Sequence, residues 1–373
     1  MKFNRNSYVS TKRDAWVEIN LANLENNVLE IKKHLNKNVK LLAVIKADAY
    51  GHGAVMCAPV LLASGVDMFG VASVDEAQQL REAGITSEIL VLGAVPVWAV
   101  EYAAQNNITI SVFSNEHIEA CRQTFEKTGI KPKVHIKLDT GMNRIGVQKQ
   151  FAKSFIKEVQ NSDFIDLKGI FTHFANAENR EKTQKQIDIF KQIISDIDTK
   201  NLIIHCANSA AIMTYDDIQF DMVRAGIILY GLMPDIAENP IFIPNLKRVM
   251  GLKGRITNIH TIQKNDGVSY GHTYICDNET TVATIPIGYA DGVSRNLSNK
   301  IFATVCGSKI KQIGNITMDQ MMFDIMGADA KEGDIVTLLD DANTIDAWAE
   351  TLNTINYELT CRLKVRLSRV YVR

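Results

Sequence analysis

Eight short apolar runs, rich in β-branched residues, alternate with helix-like segments through the first two-thirds of this chain. Near-continuous apolar strands that alternate with amphipathic helices indicate a parallel sheet covered on both faces. Eight such units within roughly 200 residues suit an α/β fold of the (β/α)8, TIM-like barrel type, and an open doubly wound sheet is the alternative. The eight runs are Leu41–Ile45, Met68–Ala72, Ile89–Leu92, Ile108–Val112, Val134–Leu138, Leu167–Phe171, Leu202–Cys206 and Met222–Leu229.

Polar and charged residues mark the carboxyl ends of five of these strands. They are Lys46, Arg144, His173, the segment 205–209 and Arg224. The carboxyl ends of barrel strands converge on one face, where barrel enzymes place their active sites. Unrelated surface loops would not place such residues so regularly. The pattern therefore favours the barrel and predicts a site at that face.

The pattern changes after a segment that contains Pro240 and Pro244. Short apolar runs separated by Gly and Asp-Gly turns follow, which is typical of an all-β domain. The predicted strands are Val249–His260, Val282–Ile287, Ile301–Val305, Lys309–Ile316 and Ile335–Leu339, and a helix is predicted over Ile345–Leu352. The predicted domains are a barrel over residues 15–240 and a C-terminal, mainly-β domain over residues 241–373. One interpretation joins residues 1–14 to the second domain.

Composition and charge argue against several classes of partner. Hydrophobic residues make up 46% of the chain and charged residues 22%, as in ordinary globular proteins, and the formal net charge is −1. That charge gives no electrostatic basis for binding nucleic acid or an anionic membrane. Residues 1–18 lack the apolar core of a signal peptide, and the longest apolar stretch, residues 89–100, is too short to span a bilayer. We therefore expect a soluble, cytoplasmic protein without nucleic-acid or membrane partners.

The cysteines and histidines predict neither a disulfide framework nor a metal site. The six cysteines are scattered without a Cys-x-x-Cys pair, which indicates reduced thiols in a chain without a secretory signal. The eight histidines lack the His-x-x-x-His or Cys-His spacing that is typical of zinc sites.

One lysine stands where a buried strand ends. Lys46 follows the apolar run Leu41–Ile45, Tyr50 comes four residues later, and a Gly-His-Gly turn completes the segment at Gly53. A lysine at the end of a buried strand is costly unless it is paired, neutral or used covalently. An amine that forms an imine with a carbonyl cofactor, with a hydroxyl and loop amides for a phosphate, would satisfy this pattern. The alternative is a lysine that extends to solvent.

The segment 44–53 resembles the lysine motif of alanine racemases, a family that binds pyridoxal 5′-phosphate in a barrel joined to a β domain. The resemblance extends from Trp16 to about Arg369, with at least six motifs in the family's order. It implies a racemase that interconverts L-alanine and D-alanine and, in a bacterium, supplies D-alanine for peptidoglycan. Serine differs from alanine by one hydroxyl, which a small pocket rejects only weakly.

Arg224 lies where an apolar strand meets a glycine turn, in the segment 221–227. The segment is similar to the family motif in which an arginine meets the pyridine nitrogen of the cofactor. Because arginine stays protonated, the ring nitrogen would accept a hydrogen bond and remain neutral, which restrains the carbanion and suits racemisation. Barrel decarboxylases with the same cofactor place a glutamate there. Without the resemblance, Arg224 is explained equally well as an arginine that pairs with carboxylates at a barrel end.

The resemblance also implies contacts to the rest of the cofactor. Hydroxyl groups and amides of glycine turns suit a phosphate dianion. The implied cofactor-binding residues, besides Lys46 and Arg224, are Tyr50, Leu92, His173, Asn208, Ser209, Gly226, Ile227 and Tyr357. Taken alone, an Asn-Ser pair after a strand reads as a helix cap, and a histidine at a strand end reads as a structural residue.

Racemisation needs a proton taken from one face of Cα and returned to the other, and two opposed acid–base groups do this directly. Lys46 is one candidate, and by resemblance Tyr270 is the other. Tyrosine needs cationic neighbours to act as a base at neutral pH, and His173 coupled to Arg224 is the candidate perturber. In the family the tyrosine comes from the second subunit, which implies a head-to-tail homodimer with shared active sites. Alone, Tyr270 reads as an aromatic residue of a hairpin.

Arg144 and Met318 match the family's contacts to the substrate carboxylate, and the arginine that Arg144 matches also holds the cofactor hydroxyl. Taken alone, Arg144 could equally be a phosphate contact or part of a surface ion pair. Four residues are implied to support the site from behind these contacts: Lys137, His205, Tyr289 and Asp319. The family lysine that Lys137 matches can be carbamylated to partner the arginine. Tyr289 matches a tyrosine that limits the size of the substrate side chain.

Two other functions fit part of the pattern. An amino-acid decarboxylase would share Lys46 and the two-domain plan, but it would need a glutamate at position 224. A cofactor carrier without catalysis would keep the lysine and the phosphate contacts, but it would not need the β domain that carries Tyr270 and Met318.

Overall fold

The computed structural model describes residues 12–373, which divide into two compact units. The barrel unit comprises residues 24–49 and 54–247, and the β unit comprises residues 12–23, 50–53 and 248–373. The strands are β1 (Ala15–Asn20), β2 (Lys40–Val44), β3 (Met68–Val71), β4 (Glu88–Val91), β5 (Thr109–Val112), β6 (Lys133–Asp139), β7 (Val147–Gln148), β8 (Asp166–Phe171), β9 (Ile203–His205), β10 (Met222–Ala225), β11 (Met250–Arg255), β12 (Asn258–Ile262), β13 (Gly267–Val268), β14 (Tyr274–Ile275), β15 (Thr280–Ile285), β16 (Phe302–Val305), β17 (Ser308–Ile313), β18 (Met321–Asp324), β19 (Ile335–Leu339) and β20 (Ser368–Val372).

Right-handed helices connect most of the strands of the barrel unit and two more lie in the β unit. They are α1 (Leu21–Lys32), α2 (Ala54–Ala63), α3 (Val74–Glu82), α4 (Val100–Gln105), α5 (Asn115–Thr128), α6 (Ala152–Gln160), α7 (Arg180–Ile194), α8 (Ser209–Thr214), α9 (Ile345–Leu352) and α10 (Asn356–Arg362). Helix α6 shows why they form, because Ala152, Phe155, Ile156 and Val159 recur at the spacing of one helix face and are all buried. Within residues 12–373, none of the helices is both long and apolar enough to cross a membrane.

The barrel unit is a nearly closed ring of eight parallel strands. Their order is β10-β2-β3-β4-β5-β6-β8-β9, and the short strand β7 pairs only with β6. The two ends of this sheet approach each other, because the Asp221 amide donates to the Ile204 carbonyl at 3.1 Å and the Arg224 amide to the Ala207 carbonyl at 3.0 Å. These bonds confirm the predicted barrel over the open sheet.

The eighth strand is shorter than the sequence predicted. The apolar run suggested Met222–Leu229, but the strand ends at Ala225. After Gly226 the residues Ile227–Tyr230 form one 3-10 turn, which Gly231 ends with a φ of 78°. The run remains buried throughout, so hydrophobicity alone did not distinguish the strand from the turn.

The β unit contains a nine-stranded sheet in the order β12-β15-β18-β17-β16-β19-β11-β1-β20, and β13 pairs with β14 in a separate hairpin. The predicted strands correspond to strands of this sheet. One prediction, Val249–His260, covers two strands, because the chain turns between β11 and β12. Helix α9 spans Ile345–Leu352 as predicted, and the side chain of Thr344 caps it by accepting from the Ala347 amide at 3.1 Å.

The predicted domain boundaries differ from the two units. Strand β1, which the sequence assigned to a barrel over residues 15–240, pairs antiparallel with β11 and parallel with β20. Its side chains alternate between buried and half-buried, as expected of a strand with one face on a core. Of residues 1–14, which one interpretation joined to the second domain, 1–11 lie outside the described residues.

The other boundary lies later than residue 240. Residues 241–247 belong to the barrel unit. Asn27, which is buried in α1, holds this segment, since its amide group donates to the Lys247 carbonyl at 2.8 Å and accepts from the Lys247 amide at 2.7 Å. Pro240 and Pro244 therefore lie in a connection that packs on the barrel unit.

Candidate active site

Lys46 begins a short left-handed helical turn at the end of β2. Ala47, Asp48, Ala49 and Tyr50 have φ values between 51° and 55°. For residues other than glycine this conformation costs about 1–2 kcal/mol each, so it persists only where the surroundings enforce it. The Lys46 side chain is exposed at this point of the chain. The turn was not predicted, because three of its four residues, two alanines and a tyrosine, are of types that rarely adopt a left-handed conformation.

Two carboxylates fix this turn within the barrel unit. The Ala47 amide donates to Glu76 Oε1 at 2.7 Å, and the Ala54 amide, at the start of α2, donates to Asp48 Oδ1 at 2.7 Å. Glu76 lies in the first turn of α3, and its other oxygen accepts from the Ala72 amide at 2.7 Å. These bonds enforce the strained backbone beside Lys46. Glu76 was not identified from the sequence.

Arg224 is buried on β10 and donates hydrogen bonds to two histidines. Its Nη1 lies 2.9 Å from His205 Nδ1 and its Nη2 lies 3.1 Å from His173 Nδ1. Nη2 also donates to the carbonyl oxygens of Thr172 and Cys206, at 3.0 and 2.9 Å. A guanidinium has no acceptor, so both histidine Nδ1 atoms must be unprotonated.

The hydrogen-bonded chain continues behind Arg224. His205 Nδ1 is an acceptor, so its proton is on Nε2, which donates to His135 Nδ1 at 2.9 Å. Burial, and then the charge of Arg224, lower the pKa of His135 to about 3 and hold the pKa values of His173 and His205 well below the usual range. All three imidazoles are therefore neutral at pH 7. Burial also lowers the pKa of Arg224, to about 10, which keeps the guanidinium charged.

Phe171, at the end of β8, packs against the same cluster. Its ring stacks on His205 with centroids 4.8 Å apart and planes inclined by 5°. The Arg224 guanidinium lies 5.5 Å and Lys137 Nζ 5.2 Å from the ring centroid, on the scale of cation–π contacts. Neither Phe171 nor His135 was singled out from the sequence. His135 could have been identified from the sequence. It lies two residues before the candidate Lys137 on the same strand, and residues two apart on a strand share a face.

Lys137 is buried on β6 with its amine near other cations. Its Nζ lies 3.3 Å from the Leu92 carbonyl, to which it donates. Burial, followed by the charges of Arg224, Arg144 and Lys46, lowers the pKa of Lys137 to about 7. The same charges act on His173, so the structure brings these predicted residues together at one end of the barrel unit. An excess of cations of this kind favours an anionic ligand.

The residues predicted to hold a phosphate are adjacent at β10 and α8. The Gly226 amide donates to Ser209 Oγ at 2.8 Å, which leaves the hydroxyl hydrogen of Ser209 to be donated elsewhere. Asn208 caps α8 through its side-chain oxygen, which accepts from the Ala211 amide at 2.9 Å. Asn208 therefore has the capping role that its position after a strand suggested. Ile227 follows Gly226 at the start of the 3-10 turn.

A phosphorylated aromatic ligand fits this donor set. None of the four bonds described above uses the Nε–H of Arg224, so that donor remains for an aromatic ring nitrogen. Ser209 offers a hydroxyl and Lys46 an amine. The chemistry of these donors fits pyridoxal 5′-phosphate.

Four of the predicted residues of the β unit form two pairs. Tyr50 and Tyr357 make up the first, with ring centroids 6.0 Å apart and planes inclined by 55°. Tyr289 and Met318 belong to the second, since the Ala290 amide donates to the Met318 carbonyl at 2.9 Å. Both of these side chains are exposed, Met318 by 53%.

Tyr270 lies in the loop between β13 and β14 and is 74% exposed. Two hydrogen bonds fix the loop: Asn315 Nδ2 donates to the Tyr270 carbonyl at 2.6 Å, and Ser269 Oγ donates to the Asn315 carbonyl at 2.7 Å. Tyr270 lines a groove of about 610 Å³ on the β unit, together with Ser269, His272, Thr317 and Gln320.

Asp319 forms an ion pair with Arg366 within the β unit. Arg366 Nη2 lies 2.6 Å from Asp319 Oδ1, and Arg366 Nε lies 3.0 Å from the buried Asp291. Asp291 also pairs with Arg13 at 2.6 Å and accepts from the Gly288 amide at 2.9 Å. The buried carboxylate of Asp291, which lies in the loop of Tyr289, is therefore linked through Arg366 to the loop of Asp319.

Two family profiles match almost the whole chain. The alanine racemase N-terminal domain matches residues 19–234, and the alanine racemase C-terminal domain matches residues 249–371. Alanine racemase 1 of Oceanobacillus iheyensis is 41% identical over 376 residues, which cover 98% of this chain and 100% of the relative.

Solved structures agree with these matches. The alanine racemase of Clostridium difficile 630 superposes with a TM-score of 0.92 at 40% sequence identity, and the alignment covers 97% of each chain. The same enzyme in complex with cycloserine gives a TM-score of 0.89 at 39% identity, over 97% of this chain and 96% of the other. The chain therefore belongs to the alanine racemase family, and it is an amino-acid racemase of the pyridoxal-phosphate-dependent class.

Proposed function

We propose that this protein interconverts L-alanine and D-alanine with pyridoxal 5′-phosphate attached to Lys46. The observation that carries the proposal is the buried Arg224, which stays charged between neutral histidines and whose charge, like that of Lys46, acts on His173. When bound, pyridoxal phosphate supplies an electron sink that makes the α-proton of an attached amino acid removable. Serine is a second candidate substrate, since it adds only one hydroxyl and a small pocket rejects such an addition only weakly.

Arg224 would face the ring nitrogen and hold it unprotonated. The pKa of Arg224, about 10, keeps the guanidinium a donor at pH 7, and the neutral His173 and His205 accept from it rather than supplying a proton. With Arg224 as a donor to that nitrogen, the ring would stay neutral and would be a weaker electron sink. This restraint suits a racemase, whereas a decarboxylase would need a carboxylate at position 224.

The phosphate would be held by Ser209 and the turn at Gly226 and Ile227, with Asn208 fixing the start of α8. By family resemblance, Tyr50 and Tyr357 add two hydroxyl donors, and Leu92 adds an apolar contact to the ring. Phosphate dianions bind well to such sets of hydroxyls and amides.

Two bases would move the proton at Cα. Lys46 removes or returns it on one face, and Tyr270 does so on the other. Arg144 and Met318 would hold the substrate carboxylate, while Tyr289 would limit the size of its side chain. Lys137, Asp319 and His205 would keep these groups in position.

Tyr270 would come from a second copy of the chain. Tyr270 and Met318 are 74% and 53% exposed in the single chain, so both side chains are accessible to a second copy. A head-to-tail homodimer that shares its active sites would cover them. In a bacterium this enzyme would act in the cytoplasm and supply D-alanine for peptidoglycan.

Proton NMR in heavy water tests the reaction directly. Purified protein with pyridoxal phosphate is incubated with L-alanine, and the product is analysed by chiral chromatography. We expect loss of the α-proton signal and the appearance of D-alanine, and neither with K46A. Ethylamine would instead identify a decarboxylase, and an unchanged spectrum for both alanine and serine would contradict the proposal.

A further inference from the structure

We propose that Glu76 is a positioning residue for Lys46, through the left-handed turn that it holds. The inference rests on the proposed function of Lys46 as the attachment point of the cofactor. Glu76 is distant from Lys46 in sequence and lies on a different element, α3. It acts on the backbone next to the lysine, since its carboxylate accepts from the Ala47 amide.

The carboxylate of Glu76 does not make the hydrogen bond that its sequence position predicts. Ser73 and Glu76 have the spacing of a capping box, in which the glutamate normally returns to the amide of the capping residue. Ser73 makes one of the two hydrogen bonds of a capping box, because its Oγ accepts from the Glu76 amide at 3.3 Å. The two oxygens of Glu76 instead accept from Ala72 and Ala47, each at 2.7 Å. Glu76 therefore joins the ends of β3 and β2 rather than closing its own helix.

A carboxylate is the group that this arrangement requires. Both of its oxygens accept, and bonds from amides to a charged acceptor are shorter and stronger than neutral ones. Glutamine offers one oxygen and one NH2 group, so one backbone amide would face another donor. Aspartate keeps the charge but is one methylene shorter, so it would not reach both amides.

The consequence for Lys46 follows from chain geometry. The Ala47 N–H belongs to the same peptide plane as the Lys46 carbonyl. Rotation of that plane changes ψ of Lys46 and φ of Ala47 together, and so moves the backbone of the turn relative to the lysine side chain that it flanks. Since Ala47 to Tyr50 all have positive φ, the turn relaxes toward ordinary backbone when a bond that enforces it is lost.

The test compares E76Q with E82Q. Glu82 lies on the same helix, is exposed, and bonds through its side chain to Gln78 at 2.7 Å, so its substitution controls for the loss of one charge on α3. Hydrogen–deuterium exchange over residues 45–50 reports the turn. The rate at which Lys46 is trapped by borohydride with pyridoxal phosphate, read by mass spectrometry, reports the orientation of the lysine.

We expect E76Q to exchange about tenfold faster over residues 45–50 and to trap Lys46 about tenfold more slowly, with E82Q unchanged. Wild-type exchange and trapping in E76Q would overturn the proposal. If E76Q does not fold, E76D takes its place, and exchange as slow as in the wild type would likewise overturn it. Failure of the proposed function looks different: Lys46 would then not be trapped in the wild-type protein, while the exchange result would still decide the role of Glu76.

Discussion

At the scale of single residues, the amine of Lys137 is strongly altered by its surroundings. Burial and three neighbouring cations lower its pKa to about 7, against about 10.5 in an unfolded chain. A neutral amine is also the form that reacts with carbon dioxide. A carbamate at this position would bring a negative charge to Arg144, as the family resemblance implies.

The pKa of Lys137 predicts a pH dependence of stability. Between about pH 7 and 10 the unfolded chain binds a proton at this site that the folded chain does not, so stability rises with pH over that window. We expect K137M to raise the free energy of unfolding at pH 7, by a few kcal/mol at most, and the difference from wild type to vanish near pH 10.

Urea denaturation at several pH values, in buffer free of carbon dioxide, measures this difference. K133M is the matched control, because Lys133 begins the same strand but is only half-buried and pairs with the exposed Glu88. A difference between K137M and wild type that stays constant from pH 7 to 10 would contradict the prediction.

At the scale of elements, the loop between β13 and β14 determines where Tyr270 points. Ser269 has a φ of 64° and a ψ of −174°, a region that favours glycine, and its hydroxyl bond to Asn315 compensates for this strain. Asn315 in turn holds the Tyr270 carbonyl. The loop is thus tied to the segment that leads to Met318.

We expect N315A to slow racemisation about tenfold and to leave cofactor binding unchanged, since only one of the two proposed bases moves. The distinguishing measurement is α-proton exchange into heavy water, started separately from L-alanine and from D-alanine. One enantiomer should exchange at the normal rate and the other more slowly. N258A, which removes an exposed amide that bonds to His260, is the control. Equal slowing from both enantiomers would indicate a general loss of structure.

Periodicity predicted the elements of the barrel better than their conformational details. The strands are buried on both faces and separated by amphipathic helices, so hydrophobicity alone locates them. The left-handed turn at Lys46 could not be predicted, because Glu76 enforces it from a different element. The placement of strand β1 in the β unit could not be predicted for a similar reason: its partners β11 and β20 are far away in sequence.

The sequence indicated those residues of the candidate site whose charge is unusual at the end of an apolar strand. Lys46 and Arg224 stand out as charges at the ends of apolar strands. Phe171 and His135 do not, since an aromatic residue and a histidine inside strands look like ordinary core. Their role becomes visible only through the contacts that the fold creates with Arg224 and His205.

At the scale of the whole molecule, the proposed homodimer predicts complementation between two inactive variants. K46A lacks one base and Y270F lacks the other. If each active site takes Lys46 from one copy and Tyr270 from its partner, a mixed dimer has one intact site and one doubly defective site. After subunit exchange we expect about a quarter of the wild-type activity, because half of the dimers are mixed.

Racemase activity of the separate variants and of their refolded mixture measures this effect. A mixture of K46A with a K46A/Y270F double variant is the control, because no combination of those two chains restores a site. A mixture of K46A and Y270F that stays as inactive as its components would contradict the shared site.

The position of β1 between β11 and β20 also bears on the order in which the protein folds during synthesis. All strands of the barrel unit have been translated by Ala225, and that unit's last segment ends at Lys247. Strand β1 is made before any of them, yet its partners begin only at Met250 and Ser368. While the barrel unit folds, β1 therefore remains an unpaired edge, and unpaired edges promote aggregation. A nascent chain stalled after β10 should expose this strand to chaperones, and release of the chaperone should follow synthesis of β11.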